Sequence, residues 1–210
     1  MAHALGRQNR YAEALPWAVR GFEAARDMHA EARRQATGTL QLTIGLHVQD
    51  LVRTGQKYEG LELLEDHIER YPMMLRLYAL RDRLRGEASS PQEIATAYRA
   101  AVADDPDNPT NLNMLAWLLV DPKGDPGLHS PEEALPLARR AVALTRRRDA
   151  AILDTLAVAL AATGDWAAAV EVQKEILTLL DGKDANGMRF EDARAQLERY
   201  EATLEAKGGE

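Results

Sequence analysis

The fold is decided by the stretch LDTLAVAL at residues 153–160, because the same pattern occurs as LNMLAWLL at residues 112–119. Both stretches have leucine at the first, fourth and eighth positions and alanine at the fifth, which is the spacing of one apolar helix face. A second apolar stripe follows each of them, starting at Ala134 in the first case and at Ala169 in the second. We therefore predict a helix pair that occurs twice in the chain.

The two copies differ in length between their helices. Leu115 and Leu156 are 41 residues apart, whereas Ala134 and Ala169 are 35 apart, so the earlier pair contains six extra residues. These residues fall within 121–130, where proline and glycine are frequent. We expect a solvated insertion there.

Amino-acid composition predicts an all-α protein. The 210 residues include 36 alanines and 29 leucines but only 14 isoleucines and valines together. This balance favours helices and leaves too few β-branched residues for a large sheet. The chain has no cysteine, which excludes disulfides, thiol chemistry and cysteine-ligated zinc.

Helix pairs of this length resemble the tetratricopeptide repeat family, whose units have about 34 residues. Pro72 and Pro106 are 34 residues apart, and each closes an amphipathic segment. The residues that match the family pattern best are Leu153, Leu156, Ala157, Leu160, the turn Gly164-Asp165-Trp166, and Ala169; those that depart from it are His47, Arg81 and Arg146.

The resemblance implies one all-α domain over residues 1–210, a right-handed superhelical solenoid of antiparallel helix pairs. The amphipathic segment 188–207 is expected to form a C-terminal capping helix. The first unit lacks most of its first helix, so the apolar side that contains Tyr11, Leu15, Val19 and Phe22 is expected to be uncovered. The expected units are roughly 1–28, 29–73, 74–108, 109–149 and 150–183.

Local signals agree with these boundaries, and Asp107-Asn108-Pro109 and Gly164-Asp165-Trp166 are each expected to begin a helix with a short polar cap. Ser90 and Ser130 each begin an S-x-x-E sequence with proline in the second place, which predicts a capping box at the start of a helix. Residues 40–49 alternate between apolar and other side chains, as a strand does, but they also fit helical spacing. We expect a helix, because a lone strand would have no partner for its backbone groups.

Charge and hydropathy argue against nucleic-acid and membrane binding. Residues 101–210 hold 12 basic and 20 acidic residues, and such an excess repels phosphate backbones. The one dense basic run, residues 146–148, is expected to end a helix, where cations favour the dipole. The sequence shows neither a bilayer-spanning stretch nor a secretory signal at its start, so we expect a cytoplasmic protein.

The sequence offers no catalytic or metal-binding pattern. Its five histidines never occur as H-x-x-x-H, and its three serines all lie in capping contexts. Residues 121–132 place acids at some positions of a calcium loop, but Lys123 replaces a ligand and Pro126 stands where glycine is required. We therefore expect no enzymatic activity, no cofactor and no bound metal.

Resemblance to the family implies a protein-interaction scaffold that binds a peptide or helix of a partner protein in a concave groove lined by the first helices. Trp117 is the candidate anchor, with the alternative that its ring fills a gap beside the insertion. A partner at the acidic second half should be basic or indifferent to charge. Alignment of the chain's segments with the family pattern gives the expected groove residues, which are Gln49, Arg53, Tyr78, Asp82, Arg85, Asn113, Trp117, Asp154 and Val158.

A second hypothesis is structural. The chain would then form homo-oligomers through its open N-terminal end, or would support other domains of a longer protein.

Overall fold

The protein is all-α. A computed structural model describes residues 1–184 and 188–208, and no β-strand occurs among them. The chain divides into two compact units, Met1–Asp105 and Pro106–Glu210. None of the helices in the described ranges has the length and apolar content needed to cross a membrane.

In the first unit each helix packs against the next one along the chain, and the third also contacts the fifth. The segment that alternates like a strand lies inside the longest helix, so the prediction of helix is confirmed there. The helices are α1 Ala2–Gly6, α2 Tyr11–Ala25, α3 Ala30–Arg53, α4 Lys57–Arg70, α5 Leu75–Arg85 and α6 Pro91–Asp104.

The second unit has the same sequential packing, with the seventh helix also contacting the ninth. The predicted starts of two helices are confirmed, because Asn108 and Asp165 cap them with their side chains. The elements are α7 Pro109–Val120, a short 3-10 helix Pro126–Leu128, α8 Pro131–Leu144, α9 Ala150–Ala162, α10 Trp166–Leu180 and α11 Phe190–Gly208.

The N-terminal apolar side is largely covered, contrary to our expectation. Leu15 and Phe22 of α2 are 8% and 5% exposed and belong to the core of the first unit. The Phe22 ring meets the Tyr71 ring edge to face, with centroids 5.0 Å apart. Helix α3 and the short α1 both pack on α2, so these two helices cover most of this apolar side.

Small residues let the helices approach closely. In the second unit Ala116, Ala134, Ala157 and Ala169 all have no exposed surface, as expected for contact positions between paired helices. In the first unit Gly60 has the same role, since a Cβ atom there would lie 3.4 Å from the Val48 side chain. Close helix contact therefore depends on residues without bulky side chains.

The turn between α9 and α10 requires glycine. Gly164 has a φ of +87°, a left-handed conformation that other residues adopt only with strain. The next residue, Asp165, caps α10 by accepting a hydrogen bond from the Ala168 amide at 3.1 Å. This short connection keeps the two helices adjacent.

The basic run after α8 lies beyond the helix end. Helix α8 ends at Leu144, and Arg146 and Arg147 both adopt positive φ in the turn that follows. Arg147 pairs with Glu175 of α10, so an ion pair joins this turn to α10. The run therefore has a local structural role.

The two predicted capping boxes have different outcomes. At Ser90 both hydrogen bonds are present, from the Glu93 amide to Ser90 Oγ at 3.2 Å and from the Ser90 amide to Glu93 Oε2 at 2.9 Å. At Ser130 the prediction is wrong in its side-chain detail, because Ser130 accepts no capping hydrogen bond. Its amide instead donates to the Leu119 carbonyl at 2.9 Å, which ties the insertion back to α7.

This difference predicts unequal costs for the same substitution. Ser90→Ala should lower the free energy of unfolding by about 0.5–2 kcal/mol, because a capping bond is lost. Ser130→Ala should change it by less than about 0.5 kcal/mol, since no capping bond exists there. Urea denaturation followed by circular dichroism measures both, and equal losses would contradict the assignment of caps.

Candidate binding cleft

The second unit contains an open cleft of about 660 Å³. Side chains of α7, α9 and α11 line it, together with the loop that follows α7. Its volume lies within the range of about 300–1,000 Å³ that is usual for ligand sites in proteins.

Four of the residues predicted from the alignment lie in this cleft. Asn113 and Trp117 are one turn apart on α7, and Asp154 and Val158 are one turn apart on α9. Residues four apart share a helix face, so each helix presents one pair to the cleft. All four are half-buried. Each directly follows a core position: Leu112, Ala116, Leu153 and Ala157 are at most 1% exposed.

Helix α11 forms part of the cleft as well as packing on α10. The Gln173 side chain of α10 donates to the Ala193 carbonyl at 2.9 Å, and the Trp166 and Tyr200 rings meet edge to face. Gln196 and Arg199 of α11 line the cleft. We predicted this helix as a cap only. Sequence signals were weak because polar residues on a capping helix are expected whether or not they border a site.

The insertion after α7 is a wall of the cleft, not only a solvated loop. Asp121, Pro122 and Lys123 line the cleft. Leu128, in the short 3-10 helix, is 9% exposed and anchors the far end of the insertion. The Asp121 carboxylate accepts the Lys123 amide at 2.9 Å and shapes the turn locally.

Asp154 is the most unusual charge in the cleft. Burial raises the pKa of its carboxyl from the ordinary value of 3.8 to about 6. Within the described residues no hydrogen bond or ion pair reaches this carboxylate, although Lys123, Arg189 and Arg199 also line the cleft. Arg199 donates instead to Gln196 at 3.1 Å. Asp154 is therefore desolvated without compensation.

Asn113 is a second acceptor without a donor. Its Oδ1 atom is buried, and nothing in the described parts of the chain donates a hydrogen bond to it. A buried oxygen in this state costs about 1–3 kcal/mol relative to a satisfied one. Beside the Trp117 indole the cleft thus has a buried amide oxygen without a donor, on α7, and a half-buried carboxylate without a protein partner, on α9.

The first unit does not present its five candidate residues in the same way. Tyr78 is 6% exposed and lies in the core, so it is not a surface residue as we expected. Gln49 is exposed, Arg53 pairs with Asp50 on its own helix, and Arg85 pairs with Glu65. These side chains lie on the surface of the first unit.

Asp82 has a local structural role. Its carboxylate accepts the Ser89 amide at 2.7 Å and also the guanidinium of Arg81 at 3.2 Å. Burial opposes ionisation, but the bonds from Ser89 and Arg81 outweigh it and lower the pKa of Asp82 below its ordinary value. Arg81 is itself 6% exposed, and its second partner is Glu93 at 3.2 Å. This network explains how Arg81, which departs from the family pattern, is accommodated at a buried position.

In the part of the chain that the structure describes, no three histidine, aspartate or glutamate side chains converge as metal ligands would. His67 is 5% exposed, and its ring lies 2.8 Å from the Leu63 carbonyl oxygen. It is a core residue of α4.

No model of a known protein family matches the chain, and no curated protein is significantly similar to it.

The raised pKa predicts how stability depends on pH. Because the folded-state pKa of Asp154 exceeds its ordinary value, the folded protein holds this proton more tightly than the unfolded chain does. The contribution of Asp154 to the free energy of unfolding therefore falls as the pH rises from about 4 to about 6, and it remains low above that range. Asp154→Asn should raise the free energy of unfolding by about 2–3 kcal/mol near pH 8 and by almost nothing below about pH 4.

Glu198→Gln is the matched control for this charge removal. Glu198 lies on α11, its side chain is 69% exposed, and it does not line the cleft. Its substitution should change stability by less than about 0.5 kcal/mol at either pH. Urea denaturation at the two pH values measures both variants, and an Asp154→Asn variant with no pH-dependent gain would contradict the burial of this charge.

Proposed function

We propose that this protein is a non-catalytic interaction scaffold that binds a peptide or helix of a partner protein in the cleft of its second unit. The observation that carries the proposal is the cleft itself, in which Asn113, Trp117, Asp154 and Val158 lie together. A half-buried indole beside unsatisfied acceptors is the kind of surface that supplies binding energy at protein interfaces.

The helix arrangement supports a repeat scaffold of the tetratricopeptide type. Helices α7 and α8 and helices α9 and α10 occupy the two copies of the sequence pattern, and α7 also contacts α9. In a solenoid of such pairs the first helices line one concave surface. On this proposal α11 occupies the place of a further first helix and extends that surface.

The chemistry of the cleft favours binding over catalysis. Asp154 has no base, acid or nucleophile paired with it among the described residues, and the hydroxyl of the neighbouring Thr155 donates to the Ala151 carbonyl at 3.3 Å. General acid–base or nucleophilic catalysis requires groups within hydrogen-bond reach of each other. We therefore propose that the cleft only recognises its ligand and needs no cofactor. From the sequence we propose that it does so in the cytoplasm.

Homo-oligomer formation is the second candidate function, and the exposed apolar side chains of the first unit favour it. Trp17 is 44% exposed and Leu42 is 60% exposed. Burial of Leu15 and Phe22 removes the larger surface on which this hypothesis was based. Light scattering after gel filtration separates the two candidates, since a strict monomer would count against self-assembly.

Selection from a phage-displayed library of random linear peptides tests the proposal. We expect peptides that bind the intact chain and lose at least about tenfold in affinity with Trp117→Ala, as for an aromatic anchor. Trp17→Ala is the matched control, because Trp17 is an exposed tryptophan of the first unit. Its affinity should stay within about twofold of the wild type.

A second variant guards against loss of folding. Asn113→Ala breaks no hydrogen bond to Oδ1 among the described residues, so it should fold normally and still weaken binding. Fluorescence anisotropy of labelled peptides measures all three variants. Peptides that bind Trp117→Ala and Asn113→Ala as tightly as the wild type would refute the cleft as the binding site.

A further inference from the structure

The cleft contains two hydrogen-bond acceptors that no described residue pairs with. They are the half-buried Asp154 carboxylate and the buried Oδ1 atom of Asn113. Such groups are tolerated at binding sites because the ligand provides what the protein leaves out. The missing partner must therefore be a donor.

A neutral donor would compensate only part of this deficit. The Asp154 carboxylate is ionised above about pH 6, and a partly desolvated anion is stabilised best by a cation that also donates hydrogen bonds. Arginine and lysine side chains carry donors and no acceptors, so neither places an additional oxygen next to the two already present.

The apolar lining suits the stem of a long basic side chain. Trp117 on α7 and Val158 on α9 are both half-buried and line the same cleft. Basic side chains bury their methylene groups on such surfaces while the charged head reaches a polar partner. An indole face also attracts a cation directly.

The protein's own cations leave this position open. Arg189 lies 4.0 Å from Asp192, Arg199 donates to Gln196, and Lys123 is exposed on the insertion. None of the three lowers the pKa of Asp154, for which burial is the cause of the shift. These cations also line the cleft and repel a basic side chain, so the attraction of Asp154 and Asn113 for such a group has to outweigh that repulsion.

From these observations we infer that the cleft holds an arginine or lysine side chain of the partner protein, with Asp154 and Asn113 as its acceptors. This inference rests on the proposed function of the cleft and specifies the chemistry of its ligand. The partner segment is basic at the position that enters the cleft, in agreement with the acidic excess of this half of the chain.

Peptides selected from the library provide the probe. Each is resynthesised with its basic residue replaced, arginine by citrulline or lysine by norleucine, which removes the charge and keeps the aliphatic stem. We expect the neutral peptides to bind at least about tenfold more weakly than the basic ones. With Asp154→Asn the basic peptides should lose affinity by a similar factor, and the difference between basic and neutral peptides should nearly vanish.

Glu198→Gln is again the control, since it removes one negative charge from the same unit outside the cleft. This variant should retain the full preference for basic peptides. Two results would overturn the inference and leave the proposed function standing. In the first, the selected peptides contain no basic residue. In the second, arginine and citrulline peptides bind equally well, although Trp117→Ala weakens the binding of both. A library that yields no cleft-dependent peptide would overturn both.

Discussion

The rest of the structure depends on one constraint: no helix pair of this chain can bury its apolar stripe alone. Within each unit, each helix therefore packs on the next one along the chain, and small, fully buried residues such as Ala116 and Ala157 allow a close contact. Leucines on either side, including Leu153 and Leu112, fill the remaining space. This packing buries nearly every apolar residue of the repeated pattern.

The same constraint positions the cleft. Leu112, Ala116, Leu153 and Ala157 are core residues of α7 and α9, and the residue after each of them lies about 100° further around its helix, at the edge of the contact. Asn113, Trp117, Asp154 and Val158 all occupy such edge positions. Asp154 is desolvated by the helices on both sides, yet none of their described side chains reaches its carboxylate. Binding chemistry thus arises where packing ends.

Sequence reasoning succeeded where periodicity determines structure. The helix pairs of the second unit, the caps at Asn108 and Asp165 and the helical state of residues 40–49 all follow from local spacing or from backbone hydrogen-bond requirements. The four cleft residues of α7 and α9 were found because a repeated pattern defines which helix face is core and which lies next to it.

It failed where tertiary contacts decide. Tyr78 occupies an edge position of the pattern but is buried in the core, and the bonds of Asp82 to Ser89 and Arg81 involve residues seven apart and adjacent, which no repeat spacing predicts. The roles of α11 and of the insertion as cleft walls were also missed. Both depend on where a polar segment lies in space, and polarity alone does not specify that.

Asp154 is a half-buried carboxylate without a cationic partner in the chain, and its titration shows whether a bound peptide supplies that cation. Carboxyl-carbon NMR of Asp154 measures the pKa in the free protein and with saturating arginine or citrulline peptide. We expect a pKa of about 6 in the free protein, a clear decrease with the arginine peptide and little change with the citrulline peptide. A free-protein pKa close to 3.8, or the same pKa with both peptides, would contradict this expectation.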